Sequence, residues 1–462
     1  MNYDLLVIGS GPGGYVAAIR ASQLGMNVGV VERSELGGIC LNWGCIPTKS
    51  LLKSAQIYNY VKHAADYGIE INGQAKADIS KMVERSRQVA ESMSKGIQYL
   101  FKKNKIEHIR GFGKLTDKNT VEVENNDEKQ TITAKHIILA TGARSKELPN
   151  LPQDGKKVIA YRKALTLKEQ PESMIVVGSG AIGCEFAYLY STIGTKVTLI
   201  EFLPTIIPLE DEEVAKQLGR SFKKSGVKVM VGSAVKSVNT AGDKVKAIVE
   251  TKKGEEIIEA DIVISAVGVV PNIENIGIEE LGIKLENGKI KVDDFYKTNI
   301  EGIYAIGDIV HGQALAHVAS AEGIICVEKI AGKDIQALNY NNIPACTYTS
   351  PEVASVGITE TAAINSGYEI KIGKFPFTAS GKASASGNRD GFIKLIFDAK
   401  TDKIIGAHMI GDNVTEMISE IVVAINKGVT GHELIKSVHP HPTMSEAIME
   451  AAAAAYNEVI HL

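Results

Sequence analysis

The chain has 462 residues, of which 44% are hydrophobic and 23% are charged, and its formal net charge is −3. This length predicts about three domains. The near-neutral charge disfavours a nucleic-acid partner, and no apolar run reaches the roughly 18 residues that a membrane span needs. Five cysteines and an N-terminus without a basic signal region predict a cytoplasmic protein rather than a secreted, disulfide-stapled one.

The chain opens with the pattern of a dinucleotide-binding βαβ unit. A predicted strand, Leu5 to Ile8, leads into the loop Gly9-Ser10-Gly11-Pro12-Gly13-Gly14, then a helix and a second strand that ends on Glu32. Glycines at this spacing bring backbone N–H groups to a pyrophosphate at the helix N-terminus, and the acid can bind ribose hydroxyls. We therefore predict a nucleotide site, with a glycine-rich packing turn as the alternative.

Two cysteines, Cys40 and Cys45, follow in the segment Gly37 to Lys49. In an unbroken α-helix their Cα atoms would lie about 8 to 9 Å apart, whereas a disulfide needs roughly 4.4 to 6.8 Å. Gly44 between them and Pro47 after them favour a distorted backbone that would let the pair bridge. Because a strained or exposed disulfide is easily reduced, the segment is typical of a redox switch. Two core thiols, or half of a zinc site, are the alternatives.

A second nucleotide motif repeats the first. The predicted strand Met174 to Val177 leads into Gly178-Ser179-Gly180-Ala181-Ile182-Gly183, a helix and a strand that ends on Glu201. Gly9 to Glu32 and Gly178 to Glu201 both span 23 positions, which predicts two dinucleotides in one chain. No arginine follows Glu201 to accept a 2′-phosphate, so the second nucleotide is predicted to be NAD rather than NADP.

The rest of the chain has no further nucleotide motif. Residues 51–104 are predicted to be helical with one break, residues 106–139 to form a small β-meander, and Ile257 to Val267 to form one strand. Asp308, just past a strand, could hold a polyol hydroxyl of a cofactor, although a turn aspartate is the alternative. Residues from about 341 onward have the pattern of an α+β domain.

A loop near the C-terminus contains two histidines, each followed by proline. The prolines after His439 and His441 favour an extended backbone, and a cis bond before Pro442 is plausible. A histidine can act as acid or base near neutral pH, but a surface side chain without a role is the alternative. Glu446 also fits a capping box with Thr443 as the N-cap.

Together these motifs resemble those of the FAD-dependent pyridine nucleotide–disulfide oxidoreductases. Within that family the chain is most similar to the branch that oxidises dihydrolipoamide, and the likeness covers essentially the whole sequence. The resemblance is carried by the two glycine loops and by Gly37–Lys49, Ala140–Gly142, Tyr304–Asp308, Leu315–His317, Tyr348–Glu352 and His441–Thr443.

The resemblance implies an α/β fold with two Rossmann-like dinucleotide-binding domains and a C-terminal α+β dimerisation domain. The implied segments are an FAD-binding domain with the redox disulfide, an NAD-binding domain, a central segment that completes the FAD site, and the interface domain. In chain order these are residues 1–146, 147–269, 270–340 and 341–462.

The resemblance also implies which residues hold the two cofactors, and it implies no metal ion. FAD would be held by Gly9, Gly11, Gly14, Glu32, Arg33, Gly38, Lys49, Gly113, Thr141, Gly142, Asp308 and Ala316. NAD would be held by Gly178, Gly180, Gly183, Glu201, Val235 and Gly268.

The resemblance implies a different role for each of the two cysteines. Cys40 would exchange with the substrate disulfide or dithiol, and Cys45 would lie against the flavin as the charge-transfer thiolate. Lys49, one helical turn beyond Cys45, would approach the flavin and pair with Glu185.

The remaining implied roles concern the histidine loop and the partners. His441, oriented by Glu446, would be the acid/base and would come from the other subunit of a homodimer. The implied reaction reduces NAD+ with protein-bound dihydrolipoamide. We expect the lipoyl group on a partner protein of a 2-oxo acid dehydrogenase or glycine cleavage complex, because no lipoyl domain precedes the first strand.

Two positions depart from the family pattern. Ile39 stands where the family usually has threonine, and Pro440 replaces the usual alanine between the histidines. Alternatives are a glutathione- or mercuric-reductase-like enzyme, against which Glu201 and the cysteine-free C-terminus argue. A non-catalytic flavoprotein scaffold would not need both cysteines together with His441.

Overall fold

The computed structural model describes residues 2–462 and divides them into two compact units. Unit 1 contains the chain up to Ser50 together with Lys81–Lys146 and Val269–Asn339. Unit 2 contains Leu51–Ser80, Glu147–Gly268 and Tyr340–Leu462. The finer division into four segments stays a prediction.

Strands and helices alternate through much of the chain. The strands are β1 (Asn2–Ile8), β2 (Val28–Glu32), β3 (Glu107–Arg110), β4 (Phe112–Asp117), β5 (Thr120–Asn125), β6 (Glu128–Leu139), β7 (Ala143–Ser145), β8 (Val158–Ile159), β9 (Ser173–Val177), β10 (Lys196–Ile200), β11 (Lys228–Met230), β12 (Ala234–Asn239), β13 (Val245–Thr251), β14 (Gly254–Ala260), β15 (Ile262–Ser265), β16 (Val269–Pro271), β17 (Leu285–Glu286), β18 (Lys289–Ile290), β19 (Ile303–Ala305), β20 (Ala345–Thr347), β21 (Glu352–Gly357), β22 (Ile370–Pro376), β23 (Phe392–Asp398) and β24 (Ile404–Gly411). The helices are α1 (Pro12–Gln23), α2 (Gly38–Trp43), α3 (Cys45–Lys62), α4 (Ile79–Lys103), α5 (Tyr161–Ala164), α6 (Ala181–Thr192), α7 (Glu212–Lys224), α8 (Ala316–Ile330), α9 (Glu360–Asn365), α10 (Gly381–Ser386), α11 (Val414–Lys427), α12 (Gly431–Lys436) and α13 (Glu446–Ala454). Among residues 2–462, every helix is too short or too polar to cross a membrane.

Unit 1 is built on a sheet with the order β3-β2-β1-β6-β5-β4, and β19 pairs in parallel with β6. Strand β1 pairs in parallel with β2 and β6, and its residues Leu5 to Val7 are fully buried. A strand buried on both faces needs a continuous apolar run, which explains its composition. The predicted meander is confirmed for β4 to β6, which are antiparallel. Strand β3 differs, because it joins the parallel edge beside β2.

Two helices of unit 1 approach each other closely. A Cβ atom on Gly323 of α8 would lie only 2.7 Å from the carbonyl oxygen of Gly13 in α1. Small residues at this crossing let the two helices pack against each other. The contact fixes α8, whose first residue is Ala316, beside the helix that follows the first glycine loop.

Unit 2 repeats this architecture. Its parallel sheet has the order β11-β10-β9-β15-β8, so β9 and β10 correspond to β1 and β2. The predicted single strand from Ile257 to Val267 is wrong, because β14 pairs with β13 in a separate antiparallel sheet while β15 pairs with β9. Asp261 separates them, and its carboxylate accepts the backbone N–H and the hydroxyl of Ser173 at 2.8 and 2.9 Å.

The C-terminal part of unit 2 is an α+β arrangement, as predicted. Its antiparallel sheet has the order β20-β21-β24-β23-β22, and residues of α11 and α13 share its hydrophobic core. Strand β20 and helix α12 were not predicted, and the last helix ends at Ala454 rather than near residue 459. Two Rossmann-like α/β sheets and an α+β domain therefore confirm the predicted fold class.

Candidate active site

The two cysteines meet at a break between two helices. Helix α2 ends at Trp43, α3 begins at Cys45, and Gly44 between them has φ −142° and ψ −112°, far from helical values. The side chain of Cys40 hydrogen-bonds with that of Cys45, and both residues are thiols in this structure. The predicted distortion at Gly44 is present, and it brings the two sulfur atoms together.

The surroundings of the pair separate the two thiols chemically. The hydrogen bond with Cys45, followed by burial, raises the pKa of Cys40 well above its ordinary value, and the charge of Lys49 opposes this shift. Cys45 is the first residue of α3, where the helix dipole favours a negative charge. The helix N-terminus therefore favours Cys45 as the site of a negative charge on the pair.

The alternative that Cys40 and Cys45 form half of a zinc site would require further metal ligands nearby. Among residues 2–462, no group of three or more histidine, cysteine, aspartate or glutamate side chains is placed to hold a metal ion.

Both glycine loops have the geometry that a dinucleotide requires. Gly9 and Gly178 have φ angles of +104° and +95°, and a Cβ atom on them would lie 2.2 and 2.4 Å from a backbone carbonyl oxygen. By contrast, a Cβ atom on Gly11 or Gly180 would have no neighbour within 4 Å. The loops are thus tightly turned yet open at their third residue, which fits a pyrophosphate at the N-termini of α1 and α6.

A glutamate at the strand end lies beside each loop. The backbone N–H and hydroxyl of Ser10 donate to Glu32, and those of Ser179 donate to Glu201. Sequence reasoning missed the two serines. Their signal was the same residue type directly after the first glycine in both repeats.

Further predicted FAD residues gather in unit 1. A Cβ atom on Gly38 would lie 2.7 Å from Cα of Gly11, so the N-terminus of α2 lies against the first glycine loop. Burial raises the pKa of Asp308, and the charge of Lys289 offsets this only in part. A half-buried carboxyl group in the turn that follows β19 fits a polyol partner. The other predicted FAD residues in this unit are Arg33, Lys49, Gly113, Thr141, Gly142 and Ala316.

The predicted NAD residues all lie in unit 2. Val235 is buried in β12, and Gly268 has a φ angle of +105° with open space around its Cα. The structure therefore brings each predicted cofactor set into a single unit, while the roles of the individual residues stay predictions.

The histidine loop in unit 2 pairs His441 with Glu446. Nδ1 of His441 lies 2.9 Å from Oε1 of Glu446, and Oε2 of Glu446 accepts the backbone N–H of Thr443 at 2.8 Å. The His441–Pro442 peptide bond is cis, as anticipated. Burial would raise the pKa of Glu446, but the hydrogen bonds from Thr443 and His441 outweigh it, so this pKa is lowered.

Only one of the two hydrogen bonds of the predicted capping box is present, the one from the backbone N–H of Thr443 to the carboxylate of Glu446. The hydroxyl of Thr443 donates to the carbonyl oxygen of Pro440 instead of capping a helix, and α13 begins only at Glu446. Glu446 is thereby left to hold both the imidazole and the loop backbone.

The other histidine of the loop anchors it to α11. The side chain of His439 is 7% exposed, with Nδ1 2.8 Å from the carbonyl oxygen of Ser437 and Nε2 3.0 Å from Oε1 of Glu420. The hydrogen bond with Glu420 raises the pKa of His439, although burial opposes it. This anchor was not predicted, because Glu420 precedes the loop by nineteen positions.

Two predicted associations join residues of different units. Lys49 and the cysteines lie in unit 1, whereas Glu185 and His441 lie in unit 2. Within unit 2, the carboxylate of Glu185 accepts the backbone N–H of Tyr348 at 3.1 Å. The pairing of Lys49 with Glu185 and the meeting of His441 with the cysteines stay predictions.

Comparison with known proteins gives consistent matches over the full length. Residues 3–323 match the model of the family described as pyridine nucleotide-disulphide oxidoreductase, and residues 343–452 match its dimerisation domain. A protein of Zymomonas mobilis named dihydrolipoyl dehydrogenase is 47% identical, over 100% of this chain and 99% of the relative. A Bacillus subtilis protein of the same name is 43% identical over 99% of both chains.

A solved structure has a similar fold over nearly the whole chain. The crystal structure of LpdA from Mycobacterium tuberculosis has a TM-score of 0.90 and 28% identity, covering 97% of this chain and 98% of that one. Since the family model and the relatives cover so much of the sequence, the chain belongs to the pyridine nucleotide–disulphide oxidoreductase family.

Proposed function

We propose that the chain is a dihydrolipoyl dehydrogenase, which oxidises protein-bound dihydrolipoamide to lipoamide and reduces NAD+ to NADH. The observation that carries the proposal is the thiol contact of Cys40 with Cys45 across the helix break at Gly44. The relatives named dihydrolipoyl dehydrogenase support the choice of substrate. A non-catalytic flavoprotein would not need this thiol pair.

His441 begins the reaction by taking a proton from a substrate thiol. When Nδ1–H donates to Glu446, Nε2 is left as the basic nitrogen. The carboxylate of Glu446 also stabilises the imidazolium that forms. General acid/base assistance of this kind contributes roughly 10² to 10⁴ in rate.

The cysteines then exchange the disulfide. In the oxidised enzyme, the substrate thiolate attacks Sγ of Cys40 and breaks the Cys40–Cys45 bond, so that Cys45 leaves as a thiolate. His441 releases the first proton to solvent and then takes the proton of the second substrate thiol, whose sulfur attacks the substrate sulfur joined to Cys40. Lipoamide is released as a closed disulfide, and Cys40 leaves as a thiolate that takes the proton from His441.

When bound, FAD would supply the two-electron redox chemistry that connects the reduced cysteines with NAD+. The chain's part is to bind and orient the cofactors through the two glycine loops. Asp308 would hold a polyol hydroxyl of FAD, and the carboxylates of Glu32 and Glu201 would hold adenosine riboses. Lys49 would lie near the flavin and pair with Glu185.

The dimerisation domain over residues 343–452 supports a homodimer, in which His441 of one subunit serves the cysteines of the other. Protein-bound dihydrolipoamide would arrive on a lipoyl-bearing component of a 2-oxo acid dehydrogenase or glycine cleavage complex. The small cysteine content supports a cytoplasmic location. We divide the chain at residues 146, 269 and 340 into FAD-binding, NAD-binding, central and interface segments.

A steady-state assay tests the proposal. The FAD-loaded enzyme is expected to form NADH from dihydrolipoamide and NAD+, with little activity when NADP+ replaces NAD+. Glutathione disulfide with NADPH serves as the rival substrate pair. Turnover of that pair, without NADH formation from dihydrolipoamide, would replace the proposal with a glutathione-reductase-like function.

A further inference from the structure

The two nucleotide loops hold their carboxylates in the same way. In unit 1, the backbone N–H and Oγ of Ser10 donate to Oε2 of Glu32 at 2.9 and 2.8 Å. In unit 2, the backbone N–H and Oγ of Ser179 donate to Oε2 of Glu201 at 2.8 and 2.7 Å. The sequence separation is 22 in both pairs, so the arrangement occurs twice in one chain.

A third donor occupies the other oxygen of each carboxylate. The backbone N–H of Ser34 donates to Oε1 of Glu32 at 2.8 Å, and that of Leu203 donates to Oε1 of Glu201 at 2.9 Å. A carboxylate has about four acceptor positions. Two are thus filled by the serine of the glycine loop and one by the residue two positions after the glutamate, and one position on Oε1 remains for a nucleotide hydroxyl.

The serine hydroxyl is the part of this arrangement that depends on residue type. The other two donors to Glu201 are backbone N–H groups, which every residue except proline supplies. Ser179 is fully buried and Glu201 is 8% exposed, so solvent offers little substitute for a lost donor. The terminal torsion of a glutamate is broad, and a carboxylate with one donor fewer can turn more freely.

We propose that Ser179 is a positioning residue that sets the preference for NAD over NADP by fixing the rotation of the Glu201 carboxylate. The inference rests on the proposed function, in which Glu201 faces the adenosine ribose. Held in place, Oε1 accepts a ribose hydroxyl and keeps its negative charge where a 2′-phosphate would lie. If the carboxylate turns, the ribose bond weakens and the repulsion of the phosphate falls.

The test compares Ser179→Ala with Ser10→Ala, the same chemical change in the other loop. Reduction of ferricyanide by NADH or NADPH is measured on holoenzyme at saturating FAD, with two ferricyanide ions reduced per nucleotide. Because this assay needs no dihydrolipoamide, it is independent of the substrate assignment. The flavin content of Ser179→Ala is expected to match that of the unmodified enzyme, and a single cooperative unfolding transition checks that the variant is folded.

In Ser179→Ala, the ratio of kcat/KM for NADH over NADPH should fall about tenfold, the effect of weakening one hydrogen bond to a charged group. The change should appear in KM for both nucleotides, with kcat changing little. Ser10→Ala should raise the Kd for FAD and leave the ratio unchanged.

An unchanged ratio in Ser179→Ala, or an equal fall in Ser10→Ala, would overturn the inference. If the enzyme fails with dihydrolipoamide while the ratio behaves as expected, the proposed function is wrong and the role of Ser179 stands.

Discussion

Nδ1 of His441 lies 2.9 Å from Oε1 of Glu446, and the other oxygen of that carboxylate accepts the backbone N–H of Thr443. One glutamate therefore fixes both the imidazole and the loop that carries it. His441→Gln should lower kcat for dihydrolipoamide oxidation by roughly 10² to 10⁴, because the proton acceptor is lost. Ferricyanide reduction by NADH, which bypasses the substrate thiol, should change little.

Glu446→Gln is the matched variant for this prediction. An amide can still accept from Nδ1–H, but it does not stabilise the imidazolium, so the fall in kcat should be smaller than for His441→Gln. If His441→Gln retains full dihydrolipoamide activity, the assignment of His441 as the acid/base is wrong.

The two cysteines should respond differently to substitution. If Cys45 contacts the flavin, Cys40→Ser should leave a thiolate at Cys45 and retain long-wavelength charge-transfer absorbance. Cys45→Ser should lose that absorbance, and both variants should lose dihydrolipoamide oxidation. Absorption spectra of the purified holoenzymes at increasing pH provide the measurement. The opposite spectral pattern would exchange the two roles.

The contact of His439 with Glu420, which anchors the histidine loop, should make the stability of the protein depend on pH. The hydrogen bond with Glu420 raises the pKa of His439 above its unfolded value of about 6.5, although burial opposes the shift. Because the pKa of His439 is higher in the folded protein, the protonated histidine contributes its full stabilisation when the pH is below the unfolded pKa. This contribution disappears as the pH rises through the folded pKa.

His439→Asn should remove this contribution, which we expect to be about 1 kcal/mol in the free energy of unfolding. Urea unfolding at about pH 6 and pH 9 is compared for both proteins, spanning the ordinary histidine pKa. The difference in unfolding free energy between the two pH values should shrink in the variant. An identical difference in both proteins would rule out His439 as the titrating anchor.

A buried lysine in unit 2 gives a stability prediction. The side chain of Lys394 is 1% exposed, and its Nζ lies 3.0 Å from Asp211 and 2.9 Å from Glu213, with Glu360 also in contact. Lys394→Met leaves the buried carboxylate of Asp211 without its partner and should cost about 3 to 5 kcal/mol in unfolding free energy.

Lys374 is the matched control, because it pairs with Glu213 at 2.6 Å but is 40% exposed. Lys374→Met should cost less than about 1 kcal/mol, since exposed ion pairs contribute little. Chemical denaturation of both variants checks the comparison. Equal losses of unfolding free energy in the two variants would contradict the claim that burial makes the Lys394 ion pairs more important.

The repeated motifs made much of the fold predictable. Matched spacing from Gly9 to Glu32 and from Gly178 to Glu201 predicts two similar units, and the parallel strands β3-β2-β1-β6 and β11-β10-β9-β15 follow the same order. The break at Gly44 was also predictable, because the glycine separates two segments that would otherwise form one helix.

Features that depend on partners distant in sequence were not predictable. The run from Ile257 to Val267 has the apolar content of one strand, and only the hydrogen bonds of Asp261 with Ser173 explain its division. Lys394 lies in a strand whose other residues from Phe392 to Phe397 are apolar, and its carboxylate partners are 34 or more positions away. Local patterns contain no signal for such contacts.

The proposed route of electrons is tested most directly by anaerobic mixing of the FAD-loaded enzyme with dihydrolipoamide, followed by NAD+. We expect dihydrolipoamide to produce long-wavelength charge-transfer absorbance from the reduced cysteine pair. Adding NAD+ should remove it and form NADH in an amount equal to the dihydrolipoamide oxidised. Absence of the absorbance, or NADH formation that persists in Cys45→Ser, would contradict a route through Cys40 and Cys45.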